Sequence, residues 1–195
     1  MYEIEISNEQ SILSFDESFI REVAESVFEI EQVEAARLSI AFVDNQTMRE
    51  LNVRHLNHDY DTDVLSFLLE CHTNESTDVD SNLRGAGKSI EGEVVISAEM
   101  ACQCAEEFDW TAENELVLYL VHGLLHLVGY DDLTESEREL MRSRERSILQ
   151  TWDLNPHYAE DKSTALDGGN GSSSDDEPPP ASRNPSTGDS TEDHE

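Results

Sequence analysis

The sequence predicts a single α/β domain with a metal site on a central helix, followed by an acidic tail. Three observations carry this reading. Period-two apolar runs alternate along the chain with apolar stripes at helical spacing. A chain of 195 residues suffices for one domain with a proper core, and not comfortably for two. Composition then changes abruptly at Asp153.

Tyr2, Ile4 and Ile6 alternate with polar residues and predict a short first strand. Asp16 is a good N-cap for a helix in which Phe19, Ile20, Val23, Val27 and Ile30 share a face. Leu38, Ile40 and Phe42 alternate again as a second strand, and Asp44 caps a short helix through Met48 and Leu51. The run from Val64 to Leu69 predicts a third strand, residues 71–89 a polar surface loop, and Val94-Val95-Ile96 a fourth strand. Ser97 caps a helix carrying Met100 and Cys104 on one face.

Thr111 opens the strongest helix, with Glu113 and Glu115 placed favourably in its first turn. Leu116, Val117, Leu120, Val121, Leu124 and Leu125 make it apolar all round, so it is expected at the centre of the fold. Gly129 is its C-terminal stop. Thr134-Glu135-Ser136-Glu137 is a capping box that starts a last, highly charged helix running to about Trp152. From Asp153 onward, Gly168-Gly169, Ser172-Ser173-Ser174 and Pro178-Pro179-Pro180 sit among Asp and Glu with almost nothing to bury. Residues 153–195 are therefore expected to be disordered, leaving 1–152 as the domain.

The net charge of −32 is spread over both parts. The tail holds 11 acidic and 2 basic residues, or −9, which leaves −23 on residues 1–152. A field of that sign repels polyanions at long range and argues against broad, non-specific nucleic-acid binding. It is compatible with a nucleic acid held locally by a metal and a few arginines, and the acidic proteome of a salt-adapted cell accounts for it equally well. Cys71, Cys102 and Cys104 are an odd set with no framework spacing, which fits a reducing compartment. Cys102 and Cys104, two apart on a helix, face different ways and read as small packing residues rather than a metal pair. The N-terminus has neither a basic nor an apolar leader region, and the sequence holds no membrane-length apolar run. A cytoplasmic protein with no membrane partner is expected.

The chemistry concentrates in His122-Gly123-Leu124-Leu125-His126-Leu127-Val128-Gly129-Tyr130-Asp131-Asp132. Two histidines four apart stack on one helix face, where both imidazoles can reach one ion. Gly129 lets the chain turn back, so that Asp132 can complete a site of three protein ligands. Three ligands leave a fourth position for water, the catalytic rather than the structural zinc arrangement. Asp131 is the alternative third ligand, or a residue that orients a ligand histidine from behind. The competing reading is two core histidines, each bonded to a backbone carbonyl; the pair, the glycine and the acidic residues together favour metal. The other histidines are weaker candidates: His72 in the polar loop, His157 and His194 in the tail.

The short pattern His-x-x-x-His-x-x-Gly-x-x-Asp resembles the metzincin peptidase motif. Metzincins, however, carry a glutamate general base directly after the first histidine, where this chain has Gly123. They also need a Met-turn, and Met141 lies in a charged helix. The fuller segment from His122 to Asp131 resembles the signature of the YbeY family of endoribonucleases. Leu51-Asn52, Asp59-Tyr60 and Thr62-Asp63-Val64-Leu65-Ser66-Phe67 resemble that family's upstream motif, and Gly92-Glu93-Val94-Val95-Ile96-Ser97 the strand before its metal helix. The three motifs stand in family order across roughly residues 1–152.

The resemblance implies an α/β fold with a small mixed sheet of about four strands flanked by helices, and one zinc ion with no organic cofactor. It implies a single-strand-specific endoribonuclease acting in small-subunit rRNA 3′-end maturation and ribosome quality control. Its partners would be ribosomal RNA and the small ribosomal subunit. Two departures stand out. The family's usual third ligand is His, where this chain has Asp132, an anionic ligand that makes a bound water less acidic. The family often has an activity-linked Arg where Leu56 stands; His58 and Arg54 are the nearest replacements for a phosphate-pairing group. Thr62, Asp63 and Ser66 either line the cleft or cap a strand end. The rival readings are a non-catalytic ribosome-assembly factor with a structural zinc site and, less favoured, a metzincin-like peptidase.

Overall fold

A computed structural model describes residues 1–74, 80, 82–108 and 110–158. Its order is β1 (Tyr2–Asn8), α1 (Glu17–Ile30), β2 (Ala35–Val43), α2 (Asn45–Leu56), β3 (Val64–Thr73), β4 (Lys88–Ser97), α3 (Ala98–Phe108), α4 (Ala112–Val128) and α5 (Glu135–Leu149), closed by a 3₁₀ turn at Gln150–Trp152. The strands form a mixed sheet in the order β1-β2-β4-β3, with β1, β2 and β4 parallel and β3 antiparallel to β4. Among the described residues, no helix is long and apolar enough to cross a membrane.

The helix starts follow the capping residues. Asp16 accepts from Ser18 N, Asp44 from Thr47 N, Thr111 from Asn114 N and Thr134 from Glu137 N. Ser97 Oγ accepts from Met100 N at 3.0 Å and starts α3 in the same way. The expected capping box at α5 is only half made, because the Glu137 carboxylate accepts from Arg84 Nη2 at 2.7 Å instead.

Period two divides the sheet between two faces. Ile4, Leu38, Ile40, Phe42, Val94 and Ile96 pack under α1 and α4 in the main core, whereas Val43, Leu65 and Val95 form a smaller cluster with Met48 of α2. Helix α4 packs against β3, β4, α1, α3 and α5, as its all-round apolar sequence requires. The polar loop expected over 71–89 is shorter than that. β3 continues to Thr73 and β4 begins at Lys88, paired Cys71 to Ile90 and His72 to Ser89 beyond a bulge at Leu68/Glu70. Backbone pairing extends an edge strand whatever its side chains, so exposed residues here carry no alternation for a sequence reading to detect.

Two glycines set how closely α4 lies on the sheet. A Cβ on Gly123 would stand 2.8 Å from Val94 Cγ1 and 2.9 Å from Val64 Cγ2; one on Gly92 would stand 3.0 Å from Leu127. The compact unit reaches Tyr158, five residues past the change of composition at Asp153. Residues 159–195, which include His194 and most of the tail expected to be disordered, lie outside the described residues.

Candidate metal centre

Helix α4 presents His122 and His126 one turn apart near its C-terminus, with their rings edge to face at a centroid distance of 4.5 Å. The two Nε2 atoms are 3.0 Å apart. Gly129, at φ 110°, ends the helix in the left-handed region and folds the chain back. Arg84 Nη1 and Lys88 Nζ donate to the Gly129 and Val128 carbonyls at 2.7 and 2.8 Å, which anchors the turn. Asp132 then stands with Oδ2 3.9 Å from His122 Nε2 and Oδ1 4.0 Å from His126 Nε2. His122, His126 and Asp132 are the group of described residues whose donor atoms converge closely enough to hold a metal. Asp131 is used otherwise: its Oδ1 accepts from the backbone N–H of Asp132 at 2.8 Å and of Leu133 at 3.3 Å, shaping the turn.

The far side of each imidazole is tied. His122 Nδ1 meets Glu145 Oε1 of α5 at 2.6 Å, and His126 Nδ1 meets the Tyr130 carbonyl at 3.1 Å. A carboxylate and a carbonyl only accept, so both Nδ1 atoms donate and both Nε2 atoms of the neutral rings turn lone pairs toward one point. Two lone pairs 3.0 Å apart repel unless a proton or a cation lies between them. Ligand atoms about 2.0–2.1 Å from a zinc ion would stand about 3.3 Å apart, which fits the histidine pair and would require Asp132 to come closer by about 0.6–0.7 Å. Its side chain is 40% exposed and free to do so, against 21% for His122 and 28% for His126. The donor set fits zinc.

Electrostatics separate the two rings. Burial pulls the His122 imidazole down, but its hydrogen bond to Glu145 and that group's charge, with Asp63 and Asp132 behind it, raise it above the ordinary value. Burial and the charge of His122 lower His126.

The neighbouring motif residues are structural where the structure defines them. Ser66 Oγ donates to the Gly123 carbonyl at 3.0 Å, pinning β3 to α4. Asp63 accepts from Thr62 Oγ1 and Val64 N at the start of β3. Glu115, placed in the first turn of α4 by its sequence, is only 5% exposed, and its Oε2 finds no partner among the described residues. Burial pushes this carboxyl up to about 7, against a hydrogen bond from Tyr119 that lowers it and with Asp63 adding to the rise. At the end of α2, Leu56 is exposed, His58 stacks on Tyr60 and bonds its hydroxyl, and Arg49 pairs with Asp59. Among the described residues Arg54 is exposed and makes no ion pair. Sequence reading missed Glu145, because nothing in a charged helix marks which glutamate will face α4.

The family model described as Endoribonuclease YbeY matches residues 5–153. An endoribonuclease YbeY of Salinibacter ruber is 39% identical over 146 residues, covering 75% of this chain and 89% of the relative. One of Bacillus cereus is 37% identical over 139 residues, covering 70% and 86%. A solution structure of a Thermotoga maritima protein aligns with 78% of this chain and 93% of its own, at a TM-score of 0.49 and 24% identity. Matched in sequence along nearly the whole of its folded part, the chain belongs to the YbeY endoribonuclease family.

Proposed function

We propose that this protein is a zinc-dependent endoribonuclease that hydrolyses phosphodiester bonds of single-stranded RNA. In this reading it acts in the cytoplasm on ribosomal RNA of the small subunit, in 3′-end maturation and ribosome quality control. The observation that carries the metal dependence is the 3.0 Å approach of two Nε2 atoms whose opposite nitrogens both donate, with Asp132 beside them. The naming of the relatives as endoribonucleases supports the RNA substrate. The odd cysteine set supports the location.

His122, His126 and Asp132 would hold the ion. An ion held there would supply Lewis acidity, which for zinc would bring the pKa of water toward neutrality and polarise a phosphoryl oxygen. Glu145 and the Tyr130 carbonyl hold the imidazoles in the tautomer that leaves Nε2 free. Partial exposure of all three ligand side chains leaves room for a strand to approach. Arg54 is the cation available to pair with a phosphate from the position of the family motif that Leu56 vacates.

The peptidase alternative loses its base for a packing reason. The Cβ direction of residue 123 points into Val94, Val64 and Ser66 of the sheet rather than toward the histidines. A glutamate there would not fit without displacing Val94, Val64 and Ser66. The alternative of a structural zinc site is tested directly. Wild type and His122→Ala are assayed on single- and double-stranded RNA of the same sequence, with bound zinc measured in both. Cleavage of the single strand that disappears together with the zinc is expected; cleavage that persists without the metal would refute the zinc-hydrolase reading.

A further inference from the structure

The chain that leaves α5 returns to the carboxylate behind His122. Glu145 is 2% exposed and uses both oxygens: Oε1 faces His122 Nδ1 at 2.6 Å, and Tyr158 Oη donates to Oε2 at 2.5 Å. The Tyr158 ring is itself held by Arg142 and Arg146, one turn apart on α5, with guanidinium carbons 4.7 and 4.6 Å from its centroid. Tyr158 lies five residues beyond the segment matched by the family model.

A carboxylate fixed at one oxygen can still turn about its terminal torsion, which is broad and soft. A second, charge-assisted bond away from water removes that freedom and holds Oε1 in line with the imidazole. We propose that Tyr158 is a positioning residue of the metal centre, acting through Glu145 to fix the orientation and tautomer of His122. Zinc affinity then depends on a residue that follows the last helix. The inference rests on the reading of His122, His126 and Asp132 as the zinc site.

Zinc affinity is measured on the full chain by competition with a chromophoric chelator, and Co²⁺ absorption spectra report the ligand field. The proteins are wild type, His122→Ala, Glu145→Gln, Tyr158→Phe and Glu145→Gln/Tyr158→Phe, with urea unfolding of each alongside. Glu145→Gln weakens zinc binding roughly ten- to a hundredfold, the usual effect of losing a partner behind a ligand histidine. Tyr158→Phe, which deletes one oxygen and keeps the ring between the arginines, weakens it about three- to tenfold. In the Glu145→Gln background the same change adds less than about twofold, because the path from phenol to imidazole is already cut. Tyr158→Leu, which also removes the ring, must weaken zinc at least as much as Tyr158→Phe.

Affinity of Tyr158→Phe within twofold of wild type overturns the proposal. So does an equal loss in both backgrounds, which would mark a general destabilisation. Wild type that takes up no stoichiometric zinc, or His122→Ala that retains it, overturns instead the metal reading on which the proposal stands.

Discussion

Replacing Glu115 by glutamine should make the protein more stable at alkaline pH and leave it almost unchanged at acid pH. The carboxyl is 5% exposed in the first turn of the central helix, has an oxygen with no partner among the described residues, and is pushed from 4.5 up to about 7, mainly by burial. A folded-state pKa above the unfolded value means that the native state binds the proton more tightly. Its contribution is therefore fully present below about pH 4.5 and is lost as the pH rises through 7. The rise from 4.5 to about 7 corresponds to about 3.4 kcal/mol once the pH is well above 7. Glutamine mimics the neutral acid at every pH. The stability difference between Glu115→Gln and wild type should then grow by about 2.5 kcal/mol between pH 5 and pH 8. With a urea m-value of about 2 kcal/mol/M, the midpoints separate by about 1.2 M over that range. Both proteins are unfolded in urea at each pH after the same metal-stripping step, so that titration of the histidines cancels in the difference. Any fixed cost of the amide shifts the whole curve and leaves its slope alone. A difference that stays flat from pH 5 to pH 9 would refute the account of Glu115 as a carboxyl kept neutral by burial.

Asp132→Ala should lose stoichiometric zinc by elemental analysis, whereas Asp131→Ala should retain it and lose stability through the turn it shapes; zinc retained without Asp132 would point to another third ligand. Gly123→Ala places a methyl 2.8 Å from Val94 Cγ1. Overpacking of about 1–3 kcal/mol should exceed the roughly 1 kcal/mol gained in helix propensity, so urea unfolding should show a net loss. Arg54→Ala should reduce cleavage of single-stranded RNA while zinc content and the urea midpoint stay as in wild type, and unchanged cleavage would remove Arg54 from the phosphate site.

Legibility in the sequence followed the range of the interaction involved. Asp16, Asp44, Ser97, Thr111 and Thr134 were readable as helix starts because a cap bonds a backbone N–H two or three residues away. The central place of α4 was readable because a helix apolar on every side has nowhere else to go. The His122–His126 pair follows from helix geometry alone, and Gly129 from the left-handed φ its position demands. By itself, then, the sequence determined the order of elements, the buried helix and two converging imidazoles.

The choice between Asp131 and Asp132 needed the tertiary turn, because neighbours past a glycine are distinguished only by which carboxylate the local N–H groups capture. Gly123 looked like a missing base and proved to be a contact surface, which only the approach of β3 and β4 reveals. Glu145 and Tyr158 reach His122 through the packing of α5 on α4 and the return of the chain after it. Glu115 reads as a dipole partner in the first turn, and only the neighbouring elements show that it is buried. Apart from the Asp131 bonds, which close within the turn itself, these are contacts between residues on different elements. Period and capping leave such contacts open, since they depend on the angle and depth at which one element meets another.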